Sequence, residues 1–265
     1  MLQLQLINKT KLLAEEDKNI SSLLMYGSFI KGEGDEFSDV EFYVFYHNDF
    51  DHEKWVNQIC ETLLFFTNEF GTEVAIFDNM IRGEFHFLPI SEVNIIASWE
   101  GLVSFEYYKE MVLVDKDFLL TSVLDAVDKK RPAHSSQDYI DWVYTSLINS
   151  LLQVRGLIER GELAHAQQAF QFIQKYILYL IRIEVGADNH WESPTKKAEI
   201  EIPIEWYDVY ENCIPSLNGI SLREKYDYCL DILKKEFKNI SASNNVKEVL
   251  YKIKLKRSSC DLQVI

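Results

Sequence analysis

Basic residues are in short supply. In 265 residues, 27 Lys and Arg stand against 42 Asp and Glu, a formal net charge of −15. A field of that sign repels nucleic-acid phosphates and disfavours a polymerase or tRNA-modifying role. It favours a cationic small substrate, with plain solubility as the competing reading. Cysteine is scarce too. Cys60, Cys213, Cys229 and Cys260 are scattered without a Cys-x-x-Cys spacing, which suits reduced thiols of a cytoplasmic protein. The chain opens without the charged and apolar blocks of a signal peptide. No apolar run has membrane-spanning length, because Arg182 and Glu184 interrupt the most apolar stretch, residues 176–185. Glycine (10) and proline (5) are sparse, and neither a repeat nor a low-complexity stretch occurs. What is present is an ordinary globular composition, 47% hydrophobic and rich in aromatics, sufficient for a substantial core or a pocket for a bulky ligand.

Helix and strand patterns alternate through the first 115 or so residues. Residues 2–16 have helical apolar spacing. Strand-like runs follow at 20–26, 39–46, 71–77, 83–88 and 111–115, with a helix expected over 51–68 behind Asp51 as N-cap. Beyond Phe118 strand signals nearly vanish. Long amphipathic helices are expected over 136–160 and 162–184, split by Gly161, and shorter ones over 204–213 and 221–237. The expected organisation is an α/β domain over 1–130 and an all-helical domain over 131–265, parted near Lys129-Lys130-Arg131-Pro132.

Residues 26–46 hold the densest chemical signal. Gly27-Ser28 makes a small-residue turn after an apolar run, and Asp39-Val40-Glu41 opens the next strand. Residues two apart on a strand share a face, so Asp39 and Glu41 present paired carboxylates. Their repulsion is most simply relieved by a divalent cation; the bland alternative is a solvated strand start. Gly27 permits close backbone approach to a phosphate, and Ser28 offers an N–H and a hydroxyl. Phosphate grip and metal dyad together are the equipment of nucleotidyl transfer. A third acidic group is open between Glu73 and Glu84, on neighbouring strand runs.

These residues resemble a known family. Gly-Ser, a spacer and Asp-x-Glu mark the nucleotidyltransferases related to DNA polymerase β, and within them the chain resembles the larger, two-domain lincosamide nucleotidyltransferases. The resemblance rests on Met25-Tyr26-Gly27-Ser28-Phe29, Gly32-Glu33-Gly34-Asp35, Ser38-Asp39-Val40-Glu41-Phe42-Tyr43, Asn68-Glu69-Phe70-Gly71-Thr72-Glu73-Val74 and Ile81-Arg82-Gly83-Glu84-Phe85-His86-Phe87. It covers roughly the first 90 residues. It implies an α+β fold, with a polymerase-β-like nucleotidyltransferase domain built on a mixed sheet and an all-helical substrate-binding domain. It implies Mg²⁺ held by Asp39, Glu41 and Glu84, with Glu84 as general base, and ATP or another NTP held by Gly27, Ser28 and Ser38. The implied reaction moves AMP to a hydroxyl of a lincosamide in a cytoplasmic homodimer and releases pyrophosphate, with no nucleic-acid or membrane partner. The alternatives are an aminoglycoside acceptor, or a catalytically idle nucleotide-binding or toxin–antitoxin module of the same fold.

Lys31 and Arg82 are the nearest cations to these motifs, either partners for phosphate or solvated charge. His86 shares a strand face with Glu84 and either orients Glu84 or the substrate, or is a packed, hydrogen-bonded residue. His47, His52, His134, His165 and His190 have no partner spacing and receive no role. Gly32-Glu33-Gly34-Asp35 lacks the Lys of a Walker loop and is expected to be a connection that shapes the nucleotide pocket. Tyr139, Trp142, Tyr144, Tyr176, Tyr179 and Trp191 are expected to be mostly core, with a few lining the acceptor pocket. The 191–197 loop is either an interhelical connection or a source of cations for polyphosphate. Lys252, Lys254, Lys256 and Arg257 read as a solvated face.

Overall fold

A computed structural model describes residues 1–100, 105–129, 134–187, 189–235, 237 and 239–260. Contacts divide the chain into two units, Met1–Pro132 and Ala133–Ile265. Lys130, Arg131 and Pro132 of the expected boundary lie outside the described residues.

The first unit opens with α1 (Leu2–Glu16), whose buried Gln3, Leu6, Ile7, Thr10 and Ala14 follow the 3–4 spacing of one helical face. Then come β1 (Ile20–Met25), β2 (Val40–Tyr46), the short α2 (His52–Val56), β3 (Thr62–Thr67), β4 (Glu73–Phe77) and β5 (Arg82–Pro89). A 3-10 helix (Ile90–Trp99), α3 (Tyr108–Met111), β6 (Val112–Asp115) and α4 (Leu119–Ala126) complete the unit. The six-stranded sheet has the order β3-β4-β5-β2-β1-β6. Only β2 and β5 run parallel among the described pairings, so the sheet is mixed.

Both faces of the sheet are covered. Phe42, Val44 and Phe85 point with Leu6, Ile7 and Trp55 into a core beneath α1 and α2. Leu24 and Phe45 point the other way, against Ile96, Leu120 and Leu124 of the 3-10 helix and α4. This double coverage explains the continuous burial of β1. Its buried Ser21 and Ser22 hydroxyls are satisfied by Asp117 (2.7 Å) and Asp115 (2.9 Å).

One expectation fails here. Residues 51–68 are not a single helix. Asp51 does cap α2, accepting the Lys54 N–H at 2.9 Å, but the helix ends after Val56. Thr62–Thr67 forms β3 instead, paired with β4. Its Thr, Leu and Phe residues fit a pleated strand, and Leu63, Leu64 and Phe66 are exposed at the sheet edge. Apolar content on both faces masked its period of two.

The second unit is helical throughout: α5 (Gln137–Glu159), α6 (Leu163–Val185), α7 (Ala198–Glu201), α8 (Ile204–Glu211), α9 (Gly219–Lys235) and α10 (Asn244–Cys260). Ser136 caps α5 by accepting the Tyr139 N–H. The α6 terminus is a Schellman turn: Gly186 sits at φ +70°, and the Ala187 N–H reaches the Arg182 carbonyl at 2.9 Å. Arg182 itself is fully buried. It donates to the carbonyls of Pro194, Ala187 and Lys196 and to Glu201, all at 2.7–2.9 Å. His190 bonds the other Glu201 oxygen at 2.7 Å. The residue that interrupted the apolar run in sequence therefore anchors the whole connection from α6 to α7. Trp191 is buried in that connection; it stacks on Tyr179 and His134 and donates to Tyr139. Tyr144 and Tyr179 are buried as well, whereas Trp142 is half exposed. On α10, Lys252 pairs with Glu248; the side chains of Lys254, Lys256 and Arg257 lie outside the described residues.

Candidate active site

Strand register assembles the acidic cluster. β1 and β2 are antiparallel neighbours, and the Tyr26 N–H extends their ladder to the Glu41 carbonyl at 3.1 Å. On the other side of β2 lies β5, in parallel register, with Glu41 opposite Glu84 and Tyr43 opposite His86. Asp39, just ahead of β2, shares the face of Glu41. Asp39, Glu41 and Glu84 thus bring carboxylate oxygens within 4.8 Å of one another. Such an all-oxygen set suits a hard divalent cation such as Mg²⁺.

Gly27 is dictated by this geometry twice. Its φ of +83° lies in the left-handed region. A Cβ at this position would fall 1.6 Å from a Glu41 carboxylate oxygen. The glycine therefore makes room for the second carboxylate as well as turning the chain. Ser28 follows, partly exposed, its carbonyl accepting the Glu33 N–H at 2.9 Å. Lys31 is exposed in the same connection. The Ser38 hydroxyl accepts from the Asp35 N–H (3.0 Å) and donates to the Asp35 carboxylate (2.9 Å). The Ser38 hydroxyl first, and the Phe37 N–H after it, hold Asp35 below the usual carboxylate range. Gln3 ties the same connection to α1 through the carbonyls of Glu36 and Ser38.

Arg82 closes the cluster from β5. One guanidinium nitrogen meets Asp39 at 2.5 Å, and the other meets Glu84. Burial acts against its charge, but the bonds and charges of Glu84 and Asp39 outweigh that and raise its pKa above the ordinary value. A single guanidinium cannot neutralise three carboxylates.

Behind Glu84 sits a ring layer of which sequence reading singled out only His86 for an orienting role, without the contributions of Tyr26 and Tyr43. The Tyr26 hydroxyl lies 2.9 Å from His86 Nε2 and 3.5 Å from Glu84 Oε2. His86 stacks flat on Tyr43, with centroids 4.2 Å apart and planes inclined by 8°. Burial, reinforced by the charges of Glu41 and Glu84, pushes the Tyr26 phenol far up, so it keeps its proton. Burial lowers the His86 pKa, with Glu84 partly opposing. A protonated phenol and an imidazole biased to neutrality are suited to fixing a carboxylate's orientation. The available signal was Tyr43, two residues beyond Glu41 on the same strand face.

Register also separates the two candidates for third carboxylate. Glu73 lies opposite Phe85, on the sheet face away from Glu84. It bonds His52 Nδ1 at 2.8 Å, beside Phe87, and is no part of the cluster. Four of the five histidines set aside for lack of spacing meet carboxylates: His47 meets Asp117, His52 meets Glu73, His165 meets Glu162 and His190 meets Glu201, while His134 stacks on Trp191.

Residues 136–257 match the family model described as "Lincosamide nucleotidyltransferase-like, C-terminal domain". The matched residues fall within the helical unit. The chain is of the nucleotidyltransferase type. Among solved structures, it is similar to an aminoglycoside 6-adenyltransferase from Bacillus subtilis, at 12% identity over 94% of this chain and 89% of that one, with a TM-score of 0.38. A nucleotidyltransferase-like protein from Exiguobacterium sibiricum is similar at 12% identity over 98% of this chain and 89% of that one, with a TM-score of 0.36. No curated protein matches the sequence. Among the described residues, no helix of this nucleotidyltransferase-type chain is long and apolar enough to cross a membrane.

Proposed function

We propose that this protein transfers AMP from ATP to a hydroxyl group of a lincosamide antibiotic and releases pyrophosphate. One observation supports this reading above the others: strand register gathers Asp39, Glu41 and Glu84 beside the Gly27-Ser28 turn. Asp39, Glu41 and Glu84 would hold Mg²⁺. Bound Mg²⁺ supplies charge neutralisation at the transferring phosphoryl group. Gly27 and Ser28 bind the triphosphate through backbone and hydroxyl, with Lys31 and Arg82 as cationic partners and Ser38 shaping the rim. Glu84, oriented by Tyr26 and His86, takes the proton of the acceptor hydroxyl. That oxygen bonds the α-phosphorus, and the bond to the pyrophosphate oxygen breaks. The same reading takes the protein as a cytoplasmic homodimer.

The charge of −15 supports a second acceptor class, the more strongly cationic aminoglycosides. Purified protein with Mg²⁺, each of four NTPs, and lincomycin, clindamycin or kanamycin, read by mass spectrometry, tests both. A lincosamide heavier by one AMP is the expected product. Modification of kanamycin alone would reassign the acceptor, and no product from any pairing would favour the idle nucleotide-binding module.

A further inference from the structure

Arg82 occupies the acidic cluster in an unusual way. It reaches Asp39 and Glu84, two of the three carboxylates, with separate guanidinium nitrogens. A divalent ion held by Asp39, Glu41 and Glu84 would sit in the same acidic cluster that the guanidinium enters. The guanidinium takes one oxygen of each, Asp39 Oδ2 and Glu84 Oε1, and a divalent ion seated among these carboxylates would be repelled by a guanidinium left in contact with them. Arg82 lies two residues before Glu84 on β5, and its backbone is paired with Ile76 of β4. Its side chain is 40% exposed, which leaves it free to swing away without disturbing the core.

We infer that Arg82 is a built-in counter-cation, holding Asp39 and Glu84 together until an incoming divalent ion displaces it. The inference rests on the proposed role of the acidic cluster as a metal site and adds a competitor within the chain. Displacement breaks a forked charge-assisted contact, so the ion alone binds weakly. The released guanidinium stays tethered beside the cluster, where nucleotide phosphates are its natural partner.

The test is Mn²⁺ titration of the full chain, without nucleotide, followed by calorimetry or electron paramagnetic resonance. Arg82→Gln removes the competitor and should bind Mn²⁺ roughly tenfold tighter than wild type, the scale of losing a charged forked pair. Arg82→Lys separates displacement from the mere field of a positive charge. Lysine keeps the charge but cannot fork across two carboxylates, so its variant should also bind tighter, by roughly threefold or more. Equal affinity of wild type and the Lys variant would overturn the inference, even if the Gln variant tightened. If Arg82→Gln does not fold, the Lys variant alone decides. Asp39→Asn serves as the control: wild-type Mn²⁺ binding that it leaves unchanged would overturn the metal site itself, a separate failure from that of Arg82.

Discussion

Glu41 and Gly27 illustrate how tightly single residues are coupled at this site. The carboxylate oxygen and the missing Cβ compete for one volume. Gly27→Ala should therefore displace Glu41 and force an unfavourable φ; we expect turnover to fall by about 10²-fold, the scale of a misplacement near 1 Å. Steady-state kinetics check this, and wild-type turnover would show that the turn tolerates a side chain. Asp39→Asn and Glu41→Gln should each cost at least ~10²-fold in kcat, as for loss of a principal electrostatic stabiliser. Glu84→Gln keeps shape but accepts no proton, so kcat should fall by roughly 10²–10⁴-fold, with nucleotide affinity little changed. Glu73→Gln in parallel should leave turnover near normal, because Glu73 serves His52 on the opposite face. A dead Glu73 variant beside an active Glu84 variant would reverse the assignment. The paired carboxylates were legible in the chain because period two is local. The preference for Glu84 over Glu73 came from the family resemblance alone, since local pattern does not say which face of β5 each neighbour meets.

Among the elements, the connection from α6 to α7 depends on Arg182. Its donors are spent on three carbonyls and Glu201, inside a core it does not leave. Replacing Arg182 with Met leaves those acceptors buried and Glu201 without its buried cation. The expected loss is about 3–5 kcal/mol, the usual consequence of breaking a buried pair from one side. A urea midpoint within error of wild type would disprove this anchoring. Sequence periodicity marked α6 as a helix over 162–184, but treated Arg182 only as an interruption of an apolar run. Partners 5–19 residues away were needed to explain its burial. The same limit hid β3: its residues are apolar on both sides, and only pairing with β4 distinguishes strand from helix there.

For the molecule as a whole, the charge of −15 acts at a distance. Attraction of a cationic acceptor should be screened once the Debye length shrinks to about 8 Å near 0.15 M salt. We expect the acceptor KM to rise from low salt to that point while kcat holds, more steeply for a polycationic acceptor than a singly charged one. Salt-independent KM values for both would reduce the acidic surface to a solubility role. The helical second half and the Gly27-Ser28, Asp39-x-Glu41 motif could be read before folding, because turns, strand alternation and helical periodicity are written within a few neighbouring residues; the mixed sheet was implied only by the family resemblance. The placement of Glu84 against Glu41, the Arg82 bridge, the Tyr26–His86 support and the Glu73–His52 pair were decided by the folded sheet. Each joins residues from different elements or faces, and strand register, a cooperative property of the assembled core, is what sets those distances.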